Sequence, residues 1–260
     1  MTHGTVILQT EGELAILTLN RPEKRNALSP ELIADILEAL ETIEHGPSRV
    51  AIVTGAGQAF CAGMDLAALR TLADHTTAEN LVDARRTLGL FKRVWSFPKP
   101  LIAAANGAAV AGGCGIATLC DITIASTEAK FGYTEVRIGF MPALISAFVQ
   151  LQVGEKVARD LLLTGRIVGA EEARELGLVN RVVPPAQLLS AAREVAAELM
   201  QNSPESLRLT KRLLARVDED ELNRRLDLGI AESVAIRDTP ELREGLSAFL
   251  EKRKPGWARQ

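Results

Sequence analysis

The chain has 260 residues, of which 47% are hydrophobic and 24% charged, an ordinary globular composition that excludes a disordered or collagen-like chain. Thirty basic and 33 acidic side chains leave a formal net charge of −3, so no bulk attraction draws the chain to nucleic acid or to an anionic membrane. We therefore expect no nucleic-acid partner and no membrane partner. The three cysteines form no C-x-x-C pair, which favours a reducing compartment, and the expected location is cytoplasmic.

The first part of the chain predicts two paired strands, a helix and a further strand. Residues 5–10 and 14–20 flank a Glu-Gly-Glu turn, the pattern of a β-hairpin. Residues 29–46 begin with Ser-Pro-Glu and carry apolar residues at helical spacing, which predicts a capped amphipathic helix. Residues 50–54 are apolar and are followed by Gly-Ala-Gly, which indicates a short buried strand and a turn.

The rest of the chain predicts alternating strands and helices, and after residue 185 only helices. The middle elements are a helix over about 79–95, a strand over 101–105, a helix over 112–119, a strand over 122–125, and helices over 143–153 and 155–163 that break at Gly154. The last elements are helices over 188–200, 204–217, 222–236 and 241–252. This order of elements predicts a mixed α/β core followed by a helical region.

Two glycine-containing segments are predicted to lie where the backbone comes close to another group. Residues 60–66 (FCAGMDL) follow a predicted strand, and residues 106–115 (NGAAVAGGCG) lie between a strand and a helix. A strand-to-helix turn leaves backbone N–H groups free beside the positive end of the helix dipole, an arrangement that favours an anion. An ordinary tight turn is the alternative for each segment. Neither fits the glycine patterns of nucleotide triphosphate or dinucleotide sites.

Five segments, in this order and spacing, resemble the enoyl-CoA hydratase/isomerase (crotonase) superfamily, and the resemblance spans nearly the whole chain. They are residues 20–28 (NRPEKRNAL), 60–66, 106–114, 120–121 (CD) and 131–135 (FGYTE). The resemblance implies an α/β fold of the ClpP/crotonase type, with a spiral of ββα units over residues 1–195. A helical C-terminal region over residues 196–260 would mediate trimerisation, giving a homotrimer or a dimer of trimers.

The resemblance also implies an acyl-CoA thioester as the bound partner. Two backbone N–H groups hold the thioester oxygen in the family, and by motif position these belong to Met64 and Gly112. Fixed donors aimed at this oxygen stabilise the negative charge that develops there during reaction. Glu135 stands in an otherwise apolar stretch that would raise the pKa of its carboxyl, which makes it the candidate acid/base. A surface glutamate paired with Arg137 is the alternative.

Further residues take supporting roles in the same comparison. The resemblance places Lys24, Arg25, Ala27 and Ala62 along the CoA moiety and Lys252 beside a neighbouring subunit's ligand, although residues 252–254 could equally be a solvated helix end. CoA is part of the substrate, and we expect no separate cofactor and no metal, because the histidines lack partners at ligand spacing. Cys61 and Cys114 have no histidine near them in the sequence and are interpreted as packed side chains. Asp65 and Asp121 are interpreted as loop braces.

One difference from the family pattern leaves the type of reaction undecided. Many hydratases of the family carry a second glutamate three residues after the oxyanion-hole glycine, where this chain has Gly115. Residues 135–146 (EVRIGFMPALIS) resemble branched methylglutaconyl-CoA hydratases, and hydration is the first hypothesis. A Δ3,Δ2-enoyl-CoA isomerase that uses a single glutamate is the second, and a non-catalytic acyl-CoA-binding protein is the third.

Overall fold

The structure, a computed structural model, describes residues 2–72 and 74–258. Its strands are β1 (Thr2–His3), β2 (Val6–Glu11), β3 (Leu14–Leu19), β4 (Val50–Gly55), β5 (Ala59–Cys61), β6 (Leu101–Ala105), β7 (Ala108–Val110), β8 (Ile122–Ser126), β9 (Lys130–Gly132), β10 (Val168–Gly169) and β11 (Arg181–Val183). Its α-helices are α1 (Pro30–His45), α2 (Leu66–Leu72), α3 (Thr77–Trp95), α4 (Gly112–Leu119), α5 (Ala143–Thr164), α6 (Ala170–Glu175), α7 (Leu188–Met200), α8 (Pro204–Arg216), α9 (Glu219–Ala235) and α10 (Pro240–Leu250).

A seven-stranded sheet forms the centre, in the order β1-β2-β3-β4-β6-β8-β11. The first three strands pair antiparallel, and the rest pair parallel. Side chains alternate between the two faces, as they must along a strand. Leu14 and Ile16 on β3 pack against α7, whereas Ala15, Leu17 and Leu19 belong to the main hydrophobic core on the other face. The sheet is therefore covered on both faces.

A smaller sheet, in the order β10-β9-β7-β5, shows how the chain winds. Three successive units each place one strand in the large sheet, the next strand in the small sheet, and then a helix. These units are β4-β5 with α2 and α3, β6-β7 with α4, and β8-β9 with α5. Strands β5, β7 and β9 are mutually parallel, so their carboxyl ends lie along one edge. The predicted spiral of ββα units is confirmed.

Close backbone packing joins the units and requires glycine at two positions. A Cβ atom built on Gly107 would lie 1.9 Å from the carbonyl oxygen of Gln58, and one on Gly113 would lie 2.2 Å from that of Cys61. No side chain fits within such distances, so only glycine permits this approach. The contact at Gly113 presses the first turn of α4 against the end of β5.

The C-terminal helices divide into packed and exposed ones. Helix α9 packs across α3 and α5, and α10 packs on a short 3-10 helix, Glu135–Ile138. Helix α8 buries none of its residues and exposes Leu213, Leu214 and Val217, the last just beyond its end. In the described part of the chain, no helix combines the length and the apolar character that crossing a membrane would require.

The long predicted elements are confirmed, including the break at Gly154, where φ is +74° and ψ is 167°. Pattern analysis missed the short strands β1, β5, β7, β9, β10 and β11 and the short helices α2 and α6. The predicted division between residues 195 and 196 falls inside α7, which continues to Met200. The division into core and C-terminal region stays a prediction.

Candidate active site

The three segments predicted to form the site follow three neighbouring strands. Met64 comes three residues after the end of β5, Gly112 two after the end of β7, and Glu135 three after the end of β9. Because these strands are adjacent and parallel, the segments that follow them meet at the same edge of the small sheet. Ligands in parallel sheets commonly bind at the carboxyl ends of strands.

Met64 lies in a short extended segment that pairs with Leu28. The N–H of Leu28 donates to the carbonyl of Gly63 (2.7 Å), and the N–H of Asp65 donates to the carbonyl of Leu28 (2.9 Å). Successive N–H groups of an extended segment point to opposite sides, so the Met64 N–H is directed away from Leu28. No backbone partner for it is seen among the described residues. A Cβ built on Gly63 would lie 2.9 Å from the Cβ of Ala111, which places this segment beside the start of α4.

A strained residue begins α4. Ala111, the N-cap, has φ +51° and ψ −127°, and its N–H donates to the carbonyl of Gly132 (2.7 Å). A non-glycine residue in such a conformation costs about 1–3 kcal/mol and persists only where the surroundings enforce it. The conformation turns the chain from β7 into the helix, so the Gly112 N–H is one of the first helical amides, which lack intrahelical acceptors.

Apolar side chains surround this helix start. A Cβ built on Gly112 would lie 3.1 Å from Cδ1 of Leu28 and 3.6 Å from Cζ of Phe91. Phe91 also faces Gly115, which lies on the same side of α4 because residues three apart share a helix face. The side of α4 on which Cβ atoms of these two glycines would lie is therefore apolar.

Glu135 is half-buried, and its Oε2 atom is buried without a hydrogen-bond partner among the described residues. Burial raises the pKa of this carboxyl from 4.5 to about 7, and a hydrogen bond from its own backbone N–H opposes the shift. Arg137 is exposed, and no ion pair joins it to Glu135 in the residues that the structure describes. The alternative of a surface ion pair is therefore wrong.

Two titratable groups that interact with the Glu135 carboxyl are neutral at neutral pH. It interacts electrostatically with the thiol of Cys114 and the phenol of Tyr133, whose hydroxyl shares a hydrogen bond with Oγ1 of Thr118 (3.0 Å). Burial raises the pKa of Cys61 and of Cys114 to about 12, so neither is a thiolate at neutral pH. Their interpretation as packed side chains is confirmed.

Gly115 stands at the position where, by the family resemblance, many hydratases carry a second glutamate. A Cβ built there would lie 3.0 Å from Cδ1 of Ile145 and 3.2 Å from Cε1 of Phe91. The side chain of Ile145 thus fills the space that a larger residue at position 115 would occupy. Sequence analysis missed Ile145, because only its packing against α4 indicates a role.

The predicted CoA-contacting residues fall into two groups. Ala62 donates its N–H to the carbonyl of Arg25 (3.0 Å), and the neighbouring Ala27 is buried while Lys24 and Arg25 are exposed. Lys252 is exposed two residues after the end of α10, and no hydrogen bond or ion pair joins it to the other four within the described ranges. The structure brings Lys24, Arg25, Ala27 and Ala62 together and leaves Lys252 on a separate element.

Asp65 and Asp121 hold loops in place, as the sequence predicted. Asp65 pairs with Arg21 (2.9 Å) and accepts the N–H of Ala67 (2.8 Å). Asp121 accepts the N–H of Leu101 (2.6 Å) and pairs with Lys211 of α8. Both carboxylates thus hold chain segments in place and are engaged by cationic side chains.

A groove of about 690 Å³ opens beside the Arg21–Asp65 pair, between the beginnings of α1 and α3 and along α2. This volume is within the range of small-molecule sites. None of the predicted site residues lines it, so it lies to one side of Glu135. Among residues 2–72 and 74–258, no group of three His, Cys, Asp or Glu side chains is arranged as metal ligands would be.

Comparison with known proteins gives consistent results. The family model for enoyl-CoA hydratase/isomerase matches residues 9–260. A provisionally named enoyl-CoA hydratase of Thermus thermophilus is 47% identical over 94% of this chain and 97% of its own length. The short-chain-enoyl-CoA hydratase of Clostridium acetobutylicum is 34% identical over 98% of this chain and 97% of its own. The crystal structure of an enoyl-CoA hydratase/isomerase from Xanthobacter autotrophicus Py2 superimposes with a TM-score of 0.89 at 32% identity, covering 97% of this chain and 98% of that one.

Proposed function

Because the chain belongs to the enoyl-CoA hydratase/isomerase family, we propose that it adds water across the 2,3 double bond of an acyl-CoA thioester. The observation that carries this proposal is the Glu135 carboxyl, with a buried unpartnered oxygen and a pKa near 7, at the edge where the Met64 and Gly112 amides lie. The names of the relatives support hydration as the type of reaction.

The proposed mechanism assigns one role to each of three groups. The N–H groups of Met64 and Gly112 donate hydrogen bonds to the thioester oxygen and stabilise the enolate charge that forms there. The Glu135 carboxylate accepts a proton as a water oxygen bonds to Cβ, and the protonated carboxyl then gives a proton to Cα. A pKa near 7 suits both steps, because the carboxyl loses and regains its proton near neutral pH.

Product chemistry tests this proposal directly. Purified protein is incubated separately with crotonyl-CoA, methylglutaconyl-CoA and a 3-enoyl-CoA. Hydration removes the absorbance of the conjugated enoyl thioester, and this is the expected result with at least one of the first two substrates. If no thioester is turned over while CoA esters still bind, the protein is a binding module and the proposal is wrong.

The more specific proposal is that the substrate is a branched acyl-CoA, methylglutaconyl-CoA. It is supported by the resemblance of residues 135–146 to methylglutaconyl-CoA hydratases. The expected result is a higher kcat/KM for methylglutaconyl-CoA than for crotonyl-CoA. The reverse order would limit the proposal to short unbranched acyl chains.

Isomerisation is the second candidate, and the packing at Gly115 favours it. With Ile145 filling that space, Glu135 would have to handle the attacking water alone, whereas a single carboxylate suffices to carry a proton from Cα to Cγ. Appearance of conjugated absorbance from the 3-enoyl-CoA would establish isomerisation. Gly115→Glu combined with Ile145→Ala should then raise hydration relative to Gly115→Glu alone, because the double variant frees space for the new carboxylate.

Binding of the CoA moiety is proposed for the segment that contains Lys24, Arg25, Ala27 and Ala62, with Lys252 contacting the ligand of a neighbouring copy. The exposed cations would attract the phosphates, and the small side chains of the buried Ala27 and the half-buried Ala62 would admit the adenine. Lys24→Gln and Lys252→Gln should each raise KM at low salt with little change in kcat. An unchanged KM would remove that lysine from the site.

A homotrimer, alone or as a dimer of trimers, is the proposed assembly. Leu213, Leu214 and Val217, on α8 and just beyond its end, are 66%, 66% and 68% exposed, and a second copy covering them would bury this apolar surface. Lys211 anchors α8 to Asp121 and to the carbonyl of Lys99. Leu213→Glu with Leu214→Glu should shift the mass measured by light scattering to that of a monomer.

A further inference from the structure

Helix α10 lies directly on the Glu135 turn, the 3-10 helix Glu135–Ile138, with backbone against backbone. A Cβ built on Gly245 would lie 2.2 Å from the carbonyl oxygen of Ile138 and 2.3 Å from its carbon. From the other side, a Cβ built on Gly139, where φ is +70°, would lie 2.4 Å from the carbonyl oxygen of Glu241. Each element thus contributes a glycine that lets the other approach, and any side chain at either position must push the two apart.

The same helix also reaches the Met64 side of the site. Leu242 and Leu246 of α10 are buried with Leu72, and Met64, Ile138 and Phe140 pack against this small cluster. Side chains from one helix therefore contact the neighbourhoods of both the Met64 amide and the Glu135 carboxyl. A shift of α10 would change the position of one relative to the other.

Contacts at both ends hold α10 in this position. Before the helix, the guanidinium of Arg237 is buried, pairs with Asp83 (2.9 Å) and stands 5.7 Å from the ring centre of Phe140. After it, Glu244 pairs with Arg253 (2.7 Å) and accepts the N–H of Gly256 (2.8 Å).

The hydrogen bond from Gly256 to Glu244 is followed in the chain by Trp257, which lies against Gly245. Cη2 of Trp257 would lie 2.9 Å from a Cβ on Gly245. Gly245 is thus enclosed between the indole of Trp257 and the carbonyl group of Ile138. A side chain at position 245 has no open direction in which to move.

We propose that Gly245 is a positioning residue for the Glu135 carboxyl, and that it acts by letting α10 seat against the Glu135 turn. The effect on turnover rests on the proposed function. The effect on the carboxyl itself does not, because it concerns the surroundings of a group in the free protein.

Gly245→Ala is the primary test, and Gly89→Ala is its control. Gly89 is an exposed residue of α3 with no atom within 4 Å of a built Cβ. Displacement of the turn should lower kcat by about tenfold or more, since misplacement by an ångström can cost two orders of magnitude, with KM changed much less. Gly89→Ala should match the wild type in both parameters. A folded Gly245→Ala protein with wild-type kcat would overturn the proposal.

A second pair of variants covers the case in which Gly245→Ala does not fold. Leu246 lies in the small cluster with Leu72 and Leu242, and Leu188 of α7 lies in the cluster that covers the other face of the large sheet; each is 4% exposed. Truncation to alanine should lower Tm similarly in both, because each leaves a comparable cavity. Only Leu246→Ala should also lower kcat. Equal kcat in the two variants would argue that α10 has a merely structural role.

A measurement without substrate separates the two proposals. Carbon-13 NMR titration of the Glu135 carboxyl, assigned by its loss in Glu135→Gln, should give a pKa near 7 in the wild type and a lower one in Gly245→Ala. The groups that face it, Cys114 and Tyr133, stay neutral in this range; on α10, Glu241 is exposed and Glu244 is paired with Arg253. An unchanged pKa would overturn the positioning role, whereas absence of turnover in the wild type would overturn only the proposed function.

Discussion

The two halves of the candidate site are built by different means. The amide half consists of backbone groups at the ends of β5 and β7, held by strand pairing and by close contacts at Gly63 and Gly113. The carboxyl half is one side chain whose character comes from burial among neighbours, with α10 pressed against its turn. The amide half thus depends on glycines, which lack a side chain at the close contacts. The carboxyl half depends on the groups that surround the Glu135 side chain. Substitutions should affect the halves in different ways.

The largest effect is expected from Glu135→Gln. The amide keeps the shape of the carboxyl but cannot accept and return a proton, so kcat should fall by about 10²- to 10⁴-fold. Binding of a non-reactive acyl-CoA, measured by calorimetry, should change little. Glu128→Gln, at an exposed glutamate, is the matched control. If Glu135→Gln retains most of the wild-type kcat, the acid/base assignment is wrong.

Gly113→Ala tests the amide half. Its Cβ cannot lie 2.2 Å from the carbonyl oxygen of Cys61, so α4 must move away from β5 and carry the Gly112 amide with it. We expect a loss of about 10²- to 10³-fold in kcat, the range seen when one oxyanion donor is removed, together with a lower Tm. Gly169→Ala, where a Cβ meets no atom within 4 Å, should preserve kcat. Wild-type kcat in Gly113→Ala would mean that this half tolerates displacement.

The raised pKa of Glu135 predicts opposite pH trends for activity and stability. In the proposed mechanism the Glu135 carboxylate is the base, so the hydration rate should rise as pH passes through about 7. The unfolded chain releases this proton near pH 4.5 and the folded chain near 7, so the free energy of unfolding should fall as pH rises between these values, by at most about 3 kcal/mol.

Chemical denaturation at pH 4.5 and pH 8 measures this trend. Glu135→Gln should lack this contribution and be more stable than the wild type at pH 8. A wild-type curve parallel to that of Glu135→Gln across this pH range would contradict the raised pKa.

The smallest effect is expected from Met64→Leu. The proposed donor is the backbone N–H of Met64. Its half-buried side chain only packs against the small cluster of Leu72, Leu242 and Leu246. The change in kcat/KM should stay within about threefold, as for substitutions that create no cavity or unpaired group. A loss approaching that of Gly113→Ala would show that the side chain itself takes part.

Sequence patterns predicted the long elements but not the arrangement that makes the site. Strands β3, β4 and β6 carry continuous apolar residues, and α1 carries a clear cap and an apolar face, so each is recognisable alone. Strands β5, β7 and β9 have three residues each, too few for any periodicity, and yet their parallel pairing brings the three site segments together.

The candidate site residues came from family resemblance rather than from pattern. Local sequence indicated that Glu135 lies in an apolar stretch, but not that the carboxyl has no partner. Ile145 opposite Gly115 and Gly245 on Ile138 could not be found in this way, because each acquires its meaning from a contact with a residue distant in the chain.

The packing of α10 against the Glu135 turn has a consequence for how the protein folds during translation. The two sheets and the Glu135 turn can form once the ribosome has released the chain as far as Val183, whereas α10 begins only at Pro240 and is translated later. Contacts between such distant segments form late in folding, because closing a long loop costs entropy before any contact repays it. In a nascent chain stalled before Pro240, the Glu135 turn would lack its contact with α10. Activity would then appear near the end of translation rather than when the core folds.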